Sequence, residues 1–139
     1  MLRLNSSFMR RSRTGATVAE LALTLPIMIS MGVGILEFGR GFMVQQMVTN
    51  AAREGARHAT LAGATSTEVV AKVKDYLATG SINPAVVDVT LTPTSLQGAK
   101  TGDQMRVHVR VRYTDVTWMP TPWFLGRANL SGDTVMRRE

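Results

Sequence analysis

Hydrophobic and polar positions divide this chain into three regimes. From Ala16 to Leu36 the residues are almost continuously apolar, and Glu20 is the one charge among them. From Gly41 to Ala62 there is no proline, and Ala, Met and Gln, which favour helix, are abundant. Joined to Ala16–Arg40, this stretch predicts one helix of about 45 residues, roughly 70 Å long at the standard rise. Pro26 cannot donate to the carbonyl of Ala22, which predicts a kink inside the apolar run. Gly32, Gly34, Gly39 and Gly41 loosen the end of that run.

Ala51, Gly55 and Ala59 recur at every fourth position, and Ala52 and Ala56 broaden the row. The resulting helix face carries almost no side chain. It suits close packing on the protein's own sheet or against a second helix.

The third regime begins after a break at residues 63–66. "TEVVAKVKDYLATG" predicts a short helix, capped by Thr65, Ser66 or Thr67, striped by Val69, Val70, Val73 and Leu77, and stopped by Gly80. The period then becomes two. Val87, Val89 and Leu91 alternate in a first strand, and Met105–Tyr113 is the clearest strand. There Met105, Val107, Val109, Val111 and Tyr113 face one way, with Arg106, His108, Arg110 and Arg112 facing the other. A proline-rich excursion, "MPTPWFLG", precedes a last strand from about Ala128 to Arg138. The expected fold class is α+β, with a long N-terminal helix packed on an antiparallel sheet of about three strands, one face of which is polar.

Charge changes how the N-terminus reads. The net charge is +6, which raises nucleic acid or an anionic membrane as partners. Yet Arg3, Arg10, Arg11 and Arg13 all precede Gly15, and no acidic residue does. Without residues 1–15 the side-chain charge is +2, so a nucleic-acid reading loses most of its support. The 16 uncharged residues Leu21–Leu36 span roughly 24 Å, short of a hydrocarbon core of about 30 Å. The 21 residues Ala16–Leu36 span about 31 Å, so a full crossing puts Glu20 in or near the apolar layer. An ionisable group there needs a partner or a function. Otherwise it reaches back to the interface beside Arg13.

A removed secretory signal is the competing reading, and "RRSR" hints at a twin-arginine signal. However, the run ends "GVGILEFGRG", without a small-x-small cleavage site. A retained anchor fits better. Its arginine bias orients the N-terminus to the cytoplasm and the C-terminal part outside.

With no cysteine, neither a disulfide framework nor thiolate chemistry is available. His58 and His108 fall on different predicted elements, and Asp75, Asp88, Asp103, Asp115 and Asp133 are scattered singly. No nucleotide-binding, hydrolase or metalloprotease motif occurs. Catalytic residues, cofactor and metal are all expected to be none.

"TG-ATVAE" resembles a type IV prepilin processing site, and residues 10–60 resemble the TadE-like minor pseudopilins of tight-adherence (Flp-type) pilus systems. The matching blocks are Glu20 and the apolar run with Pro26; "EFGR" (Glu37, Phe38, Gly39, Arg40); and "TNAAREGAR", with Asn50, Ala51, Arg53, Glu54, Gly55 and Arg57. The family usually has Phe after the glutamate, where this chain has Leu21.

The resemblance implies a pilin-like architecture: a basic leader at 1–15, a transmembrane helix at 16–40 and a periplasmic α+β domain at 41–139. It implies cleavage between Gly15 and Ala16 by a membrane prepilin peptidase. It also implies that the fifth mature residue, Glu20, pairs with a neighbouring subunit's N-terminal amine and sets register. Implied partners are other minor pseudopilins, the major Flp-type pilin and the inner-membrane assembly platform.

Glu37 and Arg40, three apart, would form a helix-surface pair of a few tenths of a kcal/mol if exposed. Arg53, Glu54 and Arg57 read as a solvated face. The row Arg106, His108, Arg110 and Arg112 reads as a solvated sheet face or as a site for an acidic partner, anionic lipid or polyanion. Trp118, Trp123 and Phe124 would close the end of the core, contact a partner subunit or lie at the membrane surface. From a different class comes an alternative: an unprocessed, signal-anchored periplasmic domain that binds a polyanion through the arginine row.

Overall fold

A computed structural model describes residues 8–119 and 125–138, with side chains from residue 15 onward. The chain divides into two units, Met1–Leu36 and Glu37–Glu139. Helix α1 covers Phe8–Ala59. Helix α2 is Ser66–Ala78, and strands β1, β2 and β3 are Asp88–Thr92, Gln104–Arg112 and Asn129–Arg137.

In the N-terminal unit the helix begins at Phe8, ahead of the expected start at Ala16, and runs unbroken through Pro26. Residues 15–32 are all exposed. The helix is long and apolar enough to cross a membrane, with a mean hydropathy of 1.9 over its best window. Its hydroxyls turn inward onto the backbone. Thr24 Oγ1 donates to the Glu20 carbonyl at 3.0 Å, and Ser30 Oγ to the Pro26 carbonyl at 2.7 Å. Such back-bonding leaves these two hydroxyls with a partner that does not depend on water, as an apolar solvent requires.

In the C-terminal unit, the part of α1 beyond Leu36 buries Val44, Val48, Ala51, Ala52, Ala56 and Ala59. Their spacing follows the helical period, so they form one stripe. The sheet is an antiparallel meander in the order β1-β2-β3, with Val89 opposite Val109 and Val109 opposite Gly132. Met105, Val107, Val109 and Val111 are buried, and Tyr113 remains buried while opening a short 3-10 turn, Tyr113–Asp115. This is the α+β arrangement that the alternation predicts.

Two glycines set how closely the layers approach. A Cβ on Gly55 would lie 2.5 Å from Val73 Cγ2 and 3.2 Å from Val107 Cγ1, so α1 is wedged between α2 and β2 there. A Cβ on Gly132 would lie 2.7 Å from the Val48 carbonyl oxygen. The small-residue face of α1 is therefore used up on the protein's own sheet and second helix.

Helix α2 buries Val69, Val73 and Leu77 and opens with a capping box. Glu68 N–H donates to Thr65 Oγ1 at 3.3 Å, and Thr65 N–H donates to Glu68 Oε2 at 3.0 Å. The Thr65 backbone bond, with help from its hydroxyl, holds the Glu68 carboxyl below the usual glutamate range. A depressed folded-state pKa means that this contribution is present at neutral pH. It is lost as pH falls from the ordinary glutamate range through the lowered value. Thr65→Ala should cost about 1 kcal/mol and flatten that acid limb, read by thermal unfolding of the full chain in detergent. An unchanged melting temperature and acid limb would contradict the cap.

Candidate functional site

Three groups of residues bear on function. The first is the Gly15–Glu20 segment. Gly15, Ala16 and Glu20 are exposed on α1, and the Glu20 carboxylate enters no ion pair among the described residues. The side chains of Arg10, Arg11 and Arg13 lie outside the described set.

The second is the "EFGR" block, which opens the C-terminal unit. A solvent-exposed Glu37–Arg40 pair is not what the structure contains. Glu37 is 5% and Arg40 6% exposed, and no Glu37–Arg40 ion pair occurs among the described residues. The reason is geometric: residues 37, 40 and 41 continue the stripe of Val44 and Val48 one and two turns back.

The Glu37 backbone and the Arg40 side chain are tied to the segment after β2. Arg40 Nε donates to the Val116 carbonyl at 3.1 Å, and the Tyr113 hydroxyl donates to the Glu37 carbonyl at 2.8 Å. The Arg40 guanidinium lies 4.8 Å from the centroid of the Trp118 ring, a cation–π contact worth about 0.5–1 kcal/mol in exposed settings. Burial pushes the Tyr113 phenol up from its ordinary value. The stability that its donated bond contributes is therefore present below the ordinary tyrosine range and is lost as pH rises through the raised value. Glu37 Oε1 is buried with no partner among the described residues.

Phe38 and Gly39 are exposed on the opposite side of α1. Of the second motif block, Ala51 and Gly55 are buried, Arg53, Arg57 and Asn50 exposed, and Glu54 half-buried. Trp118 does not close the core, because it is 74% exposed. Trp123 and Phe124 lie outside the described residues.

The third group is the arginine row on β2. Arg106, Arg110 and Arg112 are exposed and His108 half-buried on the polar sheet face. The register places acids among them: His108 is opposite Asp133, and Arg110 is opposite Asp88. Arg106 Nε lies 3.9 Å from Asp133 Oδ1, and Arg112 Nε lies 2.9 Å from Asp115 Oδ2. An open cleft of about 450 Å³ runs between Ala85–Asp88 and the Arg110 and Arg112 side chains. The row is thus a mixed-charge surface rather than a bare cationic one. Antiparallel pairing brings together acids that stand singly in the sequence.

Sequence reasoning passed over the anchoring roles of Tyr113, Val116 and Trp118, which lie 76 to 78 residues from their partners. No local pattern marks such contacts. The signal that could have marked Glu37 and Arg40 as inward-facing is the helical spacing that runs back from Val44.

Among the described residues, no three His, Asp or Glu side chains gather where they could hold a metal ion. No curated protein and no solved structure matches the chain. Residues 15–57 match the family described as TadE-like protein, a segment that begins at Gly15 and takes in Glu20, the "EFGR" block and "TNAAREGAR". Over residues 15–57, about a third of its length, the chain is similar to the TadE-like protein family.

Proposed function

We propose that the protein is a minor pseudopilin of a tight-adherence (Flp-type) pilus, a structural subunit and not an enzyme. The observation that carries this reading is the TadE-like segment at 15–57, which begins at the glycine ending a basic leader and has a glutamate five residues beyond it. The protein is held in the bacterial inner membrane by one span, with the leader cytoplasmic and the α+β unit periplasmic. A prepilin peptidase cuts between Gly15 and Ala16. The freed Ala16 amine and Glu20 then let the subunit join other pseudopilins and the major pilin at the assembly platform, and Pro26 bends the span.

The chemistry of the cut explains the glycine. A peptidase acting at a membrane surface needs backbone access, and residue 15 offers no side chain to obstruct it. Gly15→Val should leave the chain inserted but uncut, with residues 1–15 retained on the bulk of the protein and piliation lost. Normal maturation of that variant would contradict the proposed processing site.

The competing reading, polyanion binding through Arg106, His108, Arg110 and Arg112, is weakened by Asp88, Asp115 and Asp133 in the same surface. It requires Arg106 and Arg110 to be essential. The pseudopilin reading requires Gly15 and Glu20 instead.

A further inference from the structure

Among the described residues, Glu37 and Arg40 are the two charged side chains that lie buried. They stand three apart on one helix face, close enough to meet by rotation about their own side-chain bonds. Yet neither ion pair among the described residues includes them. Glu37 Oε1 is left buried without a partner among those residues. A buried carboxylate lacking a donor is costly, and an opposite charge within reach would relieve it.

The segment after β2 holds Arg40 away. Arg40 Nε donates to the Val116 carbonyl at 3.1 Å, and the guanidinium lies 4.8 Å from the centroid of the Trp118 ring. The first contact uses the donor nearest the stem and the second uses the face of the group. Turning Arg40 toward Glu37 breaks both. Trp118 is 74% exposed, so lifting its ring uncovers little apolar surface.

Tyr113 supplies a fixed point. Its hydroxyl donates to the Glu37 backbone carbonyl at 2.8 Å, a bond that neither charged group enters. The Val116 and Thr117 N–H groups both donate to the Tyr113 carbonyl, at 3.1 and 3.0 Å. Burial is the main cause of the raised Tyr113 pKa, but the Glu37 and Arg40 charges also act on it, in opposite directions.

We propose that Arg40 is a two-position latch on the segment Val116–Trp118. In the latched position, which the structure shows, it holds Val116 and Trp118 and leaves Glu37 unpaired. In the released position it pairs with Glu37, and residues 116–118 lift from α1 about the fixed Tyr113. The unpaired carboxylate of one position offsets the lost contacts of the other, which keeps the two close in free energy. A contact that favours one position of Trp118 shifts the balance by its difference in affinity for the two. The device lies wholly within the C-terminal unit and does not depend on the pseudopilin reading.

The test is amide hydrogen exchange, followed by NMR on the full chain in detergent. Val116 and Thr117 report release, while Val107 and Val109, fully buried on β2, report wider opening. Glu37→Gln removes the second partner of Arg40. It should slow exchange at Val116 and Thr117 at least about fivefold relative to Val107 and Val109. In an Arg40→Met background the same change should leave that ratio unaltered. Equal slowing in both backgrounds would show Glu37 acting through its own burial and would overturn the latch. Unchanged or faster exchange in Glu37→Gln alone would do the same. Trp118→Ala, at an exposed position, removes one latching contact without opening the core. It should speed exchange at Val116 and Thr117, and Glu37→Gln added to it should slow exchange again. Parent-like exchange in Trp118→Ala would overturn the proposal by itself.

Discussion

Gly132→Val should separate helix α1 from the sheet and strongly destabilise the C-terminal unit. The obstruction is backbone against backbone. A Cβ at residue 132 would lie 2.7 Å from the Val48 carbonyl oxygen and 2.9 Å from Thr49 Cα. A flexible side chain could move aside, but a helix backbone at this contact can yield only if the whole helix lifts. Lifting it would loosen Val44, Val48, Ala52 and Val109 from one another, all of them fully buried. It would also stretch the 2.8 Å bond from Gln45 Nε2 to the Ser131 carbonyl.

Overpacking of this kind costs about 1–3 kcal/mol, more where the backbone must move. In a unit of this size the melting temperature should fall on the order of 10 °C. Gly39→Ala is the matched control. Nothing lies within 4 Å of a Cβ at residue 39, so alanine there should be neutral or slightly stabilising through its helix propensity. A Gly132→Val protein melting within about 2 °C of the parent would contradict the helix–sheet contact.

Glu20→Gln should separate insertion from assembly. A carboxylate in or near the apolar layer opposes insertion, at a cost approaching about 3 kcal/mol toward the centre of the bilayer. Replacing it with an amide should therefore improve insertion or leave it unchanged. On the pseudopilin account, the same change removes the counter-charge for a neighbour's N-terminal amine. Two such charges in low dielectric stabilise each other only in close contact, so the pair rewards one axial stagger and disfavours the rest. The variant should be inserted and cut at Gly15 as before, while piliation drops at least about tenfold, the equivalent of roughly 1.4 kcal/mol per assembled contact. The two effects have opposite signs, which makes the result decisive. Wild-type piliation of Glu20→Gln, scored by electron microscopy and sheared-filament yield, would remove Glu20 from the mechanism.

The architecture was legible where local periodicity and burial agree. The alternation Met105–Tyr113 against Arg106–Arg112 identified β2 and its buried face because a strand's period is set by its own backbone. Of the three caps open for α2, Thr65, Ser66 and Thr67, the structure uses Thr65, which forms a capping box with Glu68. Pairing was the part that local pattern could not supply. The acids Asp88 and Asp133 become neighbours of the arginine row through strand register, and Arg40 meets Val116 and Trp118 through a 76-residue chain closure. The exposed Glu37–Arg40 pair was expected because both residues are charged, yet their position on the helix stripe decides their burial.

Those contacts also give the "EFGR" block a physical meaning. Glu37 supplies a backbone acceptor to Tyr113, and Arg40 supplies a donor to Val116 and a stacking partner to Trp118. Gly41 leaves room for Leu125 and Tyr113, whose side chains lie 3.3 and 3.4 Å from its Cβ position. The block thus anchors the loop after β2 onto the helix where the C-terminal unit begins.

The most direct measurement is the intact mass and N-terminal sequence of the protein extracted from its native membrane, with the prepilin peptidase present and active. The pseudopilin account predicts a chain that starts at Ala16 and lacks residues 1–15. A chain still carrying Arg10, Arg11 and Arg13 would contradict it and leave a plain membrane-anchored α+β protein.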